Sequence, residues 1–153
     1  MHDSPLIGWR EWLALPQLGL PAIKAKIDTG ARSSSLHVAS LEEYQREGHT
    51  WLRFAVATGR RDAVLVGCEA PACDYREVTD SGGHTTSRWF IRTVVCLAGA
   101  SWEIEINLTN RRNMLFPMLL GRSALRGRFR VDPDLAYACG RLRGLARKAG
   151  DAA

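Results

Sequence analysis

Ala22-Ile23-Lys24-Ala25-Lys26-Ile27-Asp28-Thr29-Gly30-Ala31-Arg32-Ser33 is the stretch that decides the fold. An apolar-leaning run of strand type leads into a carboxylate, a hydroxyl and a glycine. In that arrangement Ile27 anchors the strand in a core, and Asp28 sits at its end, within reach of a substrate. Gly30, with no Cβ, lets a second backbone come close. Thr29 offers a short hydroxyl that locks the turn through a hydrogen bond. The competing reading of Asp28 is a plain cap or Asx-turn after a strand.

Around this stretch the chain reads as one domain of many short strands. At 153 residues it is long enough for a hydrophobic core, and 46% of it is apolar. No apolar run approaches the ~20 residues of a membrane span. Met1 to Pro5 lacks a basic start followed by an apolar stretch, so the expected location is the cytoplasm, with no membrane partner. Cys68, Cys73, Cys96 and Cys139 are irregularly spaced, as expected of free thiols, and no metal site is expected from them. The net charge is +5, with much of the excess in Arg111-Arg112, Arg122 to Arg130 and Arg141 to Lys148. Such a surface is either simply solvated or attracts an acidic partner. Nucleic acid is the weaker candidate: Trp9, Trp12, Trp51, Trp89 and Trp102 fall at strand positions, where core packing is the default.

Strands are expected over Ile7 to Leu13, Ala22 to Ile27, Leu36 to Val38, Trp51 to Val56, Ala63 to Val66, Asp74 to Thr79 and Arg88 to Leu97. Trp102 to Leu108 has a clean period of two, with Trp102, Ile104, Ile106 and Leu108 on its apolar face. Leu41 to Glu47 reads as a short helix or turn, and Gly59 to Asp62 as a hairpin turn. Asp80-Ser81-Gly82-Gly83-His84 is a glycine-rich tip. Asn110 to Asn113 is a polar loop, Phe116 to Leu120 a short apolar strand, Ser123 to Arg126 one helical turn, and Phe129 to Asp132 a last strand. The tail carries a weak helical pattern in Leu142 and Leu145.

Met118-Leu119-Leu120-Gly121-Arg122-Ser123-Ala124-Leu125, far downstream of Asp28-Thr29-Gly30, turns a tripeptide into a two-part signature. An apolar strand, then Gly-Arg, then a short helix resembles the retropepsins, the aspartic proteases of retroviruses and their cellular relatives. The likeness is stronger to a bacterial family of retropepsin-like domains. Lys26 to Ser33 resembles that family's first motif, Met114 to Arg122 its second, and Phe129 to Asp132 its last; Ser81, Gly83 and Arg88 match its middle segment.

The resemblance implies an all-β fold: a closed β-barrel with a flap hairpin and one short helix at the Gly-Arg turn. It implies one domain over residues 1–135, followed by a basic tail over 136–153. Asp28, Thr29 and Gly30 take the catalytic positions. Ala31, Arg32, Ser33, Ser81, Gly82, Gly83, Arg88 and Arg122 take the substrate-binding ones, with Ser81 to Gly83 as the mobile tip, which also reads as an ordinary hairpin turn. One Asp-Thr-Gly supplies one carboxylate, so the implied aspartic endopeptidase is a homodimer in which two Asp28 side chains meet.

Members of the family often carry the label "ATP-dependent zinc protease". This chain has no His-Glu-x-x-His and no Gly-x-x-x-x-Gly-Lys-Ser/Thr loop, so no cofactor is expected. They are often encoded beside ATP-grasp glutamate ligases, which points to glutamate-rich peptide substrates. One position departs from the viral pattern: Arg32 stands where those enzymes commonly carry an acid that pairs with the arginine of Gly-Arg. Arg122 therefore needs another partner, Asp132 or Glu105, or else both arginines face an acidic substrate. The alternative on the same fold is an inactive module that holds acidic peptides.

Overall fold

Alternation of apolar and polar residues carries most of the chain into strands, and strand pairing closes them around one core. The computed structural model describes residues 4–58, 64–110 and 115–140. The strands are β1 (Leu6–Ile7), β2 (Arg10–Leu15), β3 (Leu20–Asp28), β4 (Ser34–His37), β5 (Ser40–Arg46), β6 (His49–Thr58), β7 (Val64–Pro71), β8 (Asp74–Thr79), β9 (Thr85–Leu97), β10 (Ala100–Thr109), β11 (Met118–Gly121) and β12 (Arg130–Val131). A 3-10 turn covers Pro16–Leu18, and the helix α1 is a single turn, Arg122–Leu125. The fold is all-β.

The largest sheet has the order β10-β4-β11-β3-β2-β9-β8, and β9 also pairs with β10, so six strands form a ring of pairings with β8 outside it. The β2–β9 seam is narrow, at Ala14 opposite Cys96. A second sheet, β5-β6-β7, lays Leu52, Phe54, Val56, Cys68 and Ala70 against the same core that receives Ile23, Ala25 and Ile27 from β3. Burying these side chains is the main stabilising term, on the order of 2 kcal/mol for each large one.

Several elements differ from expectation. Residues 41–46 are strand, not helix, and Glu47 is in the turn: β5 pairs with β6 through a tight turn at Glu47-Gly48, both with positive φ, as a two-residue hairpin turn demands. The first expected strand is split at Gly8, where a Cβ would collide with the Leu135 carbonyl. β1 therefore pairs in parallel with β12 while β2 joins the ring. The strand expected from Phe116 begins at Met118, and that expected from Arg88 begins earlier, at Thr85. The expected turn at 59–62 and the helical pattern at Leu142 and Leu145 lie outside the described residues, as does most of the loop at 110–113.

Candidate active site

The site is built on Gly121. β11 runs parallel to β3, with Gly121 opposite Asp28, and antiparallel to β4 on its other side. A side chain on Gly121 would drive into the carbonyl of Ser33, so the loop after Asp28 lies flat on this glycine. The next residues then tie the loop down. The Arg122 N–H donates to the Ala31 carbonyl at 2.7 Å and the Ser123 N–H to the Arg32 carbonyl at 3.1 Å. The Ser123 hydroxyl reaches the same Arg32 carbonyl at 2.8 Å, and Arg122 Nη1 donates to the Thr29 carbonyl at 2.9 Å. The Gly121 N–H itself donates to Ser34 Oγ at 2.9 Å.

Asp28 ends β3 half-buried. The Ile27 N–H donates to the Trp9 carbonyl at 2.7 Å, which fixes the strand just before the carboxylate. Asp28 Oδ1 accepts from the Gly30 N–H at 3.0 Å, and among the described residues Oδ2 has no hydrogen-bond partner. Two expectations change here. The turn is locked by the Asp28 carboxylate and the Arg122 guanidinium, and the Thr29 hydroxyl bonds to nothing among the described residues. Gly30 is not the point of close backbone approach, since a Cβ there would meet only Asp28 Oδ1, at 3.2 Å; Gly121 is that point.

Arg122 binds neither carboxylate proposed from sequence. Glu105 pairs with Arg76 and, at 3.3 Å, with Arg92; Asp132 Oδ1 accepts from the Asp134 N–H at 2.9 Å. Arg32 is exposed, and Ser33 presents its carbonyl to Gly121. Alternation along β3 places Lys24, Lys26 and Asp28 on one face, with Arg10 opposite Lys26 and Trp12 opposite Lys24 on β2. Among the described residues no carboxylate forms an ion pair with Arg10, Lys24, Lys26 or Arg32.

Ser81, Gly82 and Gly83 form the tip of the β8–β9 hairpin. Asp80 Oδ1 accepts from the N–H groups of Gly82 and His84 at 2.9 and 3.0 Å, and Gly83 takes a φ of 83°. Residues 85–89 of β9 pair with β8 alone, so this ribbon runs past the ring. Arg88 is not at the surface. It is 8% exposed, with Nε on Thr86 Oγ1 and Nη1 on Asn107 Oδ1, both at 3.0 Å.

Sequence reading missed two residues. Asn107 lies off the apolar face of Trp102, Ile104, Ile106 and Leu108 that alternation marks on β10, yet it is fully buried. Its Oδ1 also accepts from the Ser35 hydroxyl at 3.0 Å, and its Nδ2 donates to the Ser34 carbonyl at 2.9 Å. Glu11 is likewise fully buried and accepts from the N–H groups of Gly8, Ala138 and Cys139 at 2.6, 2.9 and 3.2 Å. The run Ser33-Ser34-Ser35 was the available signal for the first; nothing local marked the second. Among the described residues no three His, Cys, Asp or Glu side chains converge as metal ligands. Burial pushes the Cys68 and Cys139 thiols up to about 11, with the Glu11 carboxylate adding to the effect on Cys139.

Residues 6–141 match the model of a family described as RimB-like, "Retropepsin-like aspartic endopeptidase RimB". The chain is 40% identical over 144 residues to a Shewanella pealeana protein named "Probable alpha-L-glutamate ligase", covering 92% of this chain and 31% of that one. A Desulfotalea psychrophila protein of the same name is 43% identical over 136 residues, covering 88% and 29%. The chain thus spans about a third of the length of the curated relatives it matches. A crystal structure of a Legionella pneumophila protein described as of unknown function is similar with a TM-score of 0.74 at 30% identity, covering 90% of this chain and 99% of that one. No helix among the described residues is long and apolar enough to cross a membrane.

Proposed function

The chain belongs to the family of retropepsin-like aspartic endopeptidases, and on that premise we propose that it is itself an aspartic peptidase acting on acidic peptides. The observation that carries the reading is the seating of the loop at residues 28–34 on Gly121. It presents one Asp28 oxygen bound and the other open, at the end of a strand fixed on both sides.

One chain supplies one such carboxylate, so the second is Asp28 of the partner subunit in a two-fold dimer. Two carboxylates about 3 Å apart share a single proton. The ionised member takes a proton from water, whose oxygen forms a bond to the scissile carbonyl carbon. The protonated member gives its proton to the carbonyl oxygen. Collapse then breaks the carbon–nitrogen bond: one hydroxyl of the gem-diol returns its proton to the carboxylate that protonated the carbonyl oxygen, and the amine leaves with the proton first taken from water. The hairpin tip at Ser81 to Gly83 covers the bound peptide. The retropepsin-like barrel is the frame in which these parts meet, and the chain acts in the cytoplasm.

Acidic substrates are favoured by charge. Arg32 and Lys26 flank Asp28, exposed and without carboxylate partners among the described residues. The curated relatives that contain this domain are named as glutamate ligases, which supports peptides rich in glutamate. The test is cleavage of a glutamate-rich peptide beside a neutral one of equal length, by wild type and by Asp28→Asn. Cleavage lost in Asp28→Asn, and a preference for the acidic peptide lost in Arg32→Ala, support the reading. Tight binding without cleavage at any pH would instead identify an inactive module that holds acidic tails, which the cation at Arg32 also fits.

A further inference from the structure

The structure assigns a further role to Asn107: it is a positioning residue that couples the β8–β9 hairpin to the loop carrying Asp28. The assignment begins with an imbalance. A fully buried amide loses its hydration, and an apolar side chain at that point of β10 would avoid the loss. The amide is tolerated because it is bonded on both sides. Its oxygen accepts from Arg88 Nη1, at the root of the hairpin, and from the Ser35 hydroxyl; its nitrogen donates to the Ser34 carbonyl. Three strands, β9, β10 and β4, therefore meet in one side chain.

What lies at each end makes this more than packing. Arg88 pairs in register with Arg76, within the ribbon that has left the ring, so its orientation follows that of the hairpin. Ser34 is the first residue of β4 after the loop, it is fully buried, and its hydroxyl takes the N–H of Gly121, the residue opposite Asp28. The path is thus hairpin root, Asn107, Ser34, Gly121, Asp28. Buried hydrogen-bonded groups of this kind keep one geometry, because any partner left open costs the full desolvation of a polar group. Movement of the hairpin onto a bound peptide is passed to the loop through that amide.

The inference rests on the peptidase reading only for its kinetic arm; hydrogen exchange tests it without activity. Amide exchange is followed in segments 28–36 and 74–90, with 40–56 as internal reference. Arg88→Lys acts at the hairpin end, and Asn107→Asp keeps the acceptor for Arg88 while losing the donor to Ser34. Coupling predicts that Arg88→Lys speeds exchange about tenfold in 28–36 as well as in 85–90, with the reference unchanged. It predicts that Asn107→Asp speeds exchange in 28–36 and leaves 74–90 protected. Ser35→Ala, a milder change, should raise exchange in 28–36 by a few fold, and serves if either charged variant fails to fold. An Arg88→Lys effect confined to the hairpin, or a uniform rise that includes the reference, overturns the assignment. In turnover, Asn107→Asp should lower kcat about tenfold with KM within about twofold. A rise in KM alone would overturn it. Absence of activity in wild type would remove the peptidase reading and leave the exchange result standing.

Discussion

The loop at residues 28–34 and the outer face of the β5–β6–β7 sheet are both dense in polar contacts, but the contacts have different weight. At the loop, donors from Gly121, Arg122 and Ser123 meet backbone carbonyls and a buried hydroxyl. On the sheet, Arg53 reaches Glu42 and Glu69, Tyr44 bonds to Glu69, and Arg46 stacks on Trp51, with Arg53, Glu42 and Glu69 exposed. Side-chain exposure is 54% for Arg53 and 65% for Glu42, so their attraction is screened and the rotamer entropy of holding them is lost. The loop contacts hold backbone carbonyls in place and, at Ser34, end on a buried hydroxyl, whereas the sheet contacts join side chains to side chains on an exposed face.

The comparison can be broken by substitution. Asp28→Asn should cut peptidase turnover by about a thousandfold or more while the thermal midpoint stays near wild type; turnover retained would remove Asp28 from the chemistry. Gly121→Ala should cost about 3 kcal/mol or more in denaturant unfolding, because the Ser33 carbonyl has nowhere to retreat. Arg122→Met should cost about 1 kcal/mol, the usual worth of one hydrogen bond to a carbonyl, and slow turnover as Thr29 loosens. Arg53→Met should leave the unfolding midpoint unchanged at any salt concentration. If it cost as much as Arg122→Met, the contrast between the two regions would be gone.

A pH measurement sharpens the inner face of the same sheet. Cys68 donates to the Leu18 carbonyl from the core side of β7, and burial raises its thiol from 9.0 to about 11. The folded state prefers the neutral thiol, so that stabilisation is complete below pH 9 and is lost as pH rises through about 11. The denaturation midpoint should fall across that window, and less steeply in Cys68→Ala.

The sequence made the site's centre legible because two motifs lie on contiguous residues: Lys26 to Ser33 and Met118 to Arg122. Alternation made most of the strands legible too, and failed where one face is not apolar. β5 is exposed along nearly its whole length, so no hydrophobic stripe marks Ser40 to Arg46 as strand. Asn107 and Glu11 were hidden for the opposite reason. Their polar side chains read as solvated, but strand pairing and the segment from Leu135 to Cys139 close over them. Alternation reports two faces of a strand, and it cannot report that a later part of the chain covers the second face.

The bond from Arg122 to the Thr29 carbonyl joins residues 93 apart in sequence, and that from Ala138 to Glu11 spans 127. Contacts this distant close late, because loop entropy must be overcome before they repay it. During synthesis Asp28 emerges well before the glycine and arginine that seat its loop, with Arg122 lying 93 residues beyond Thr29. The carboxylate is therefore made long before it is aimed, and a nascent chain stopped short of Gly121 carries the residue without the site.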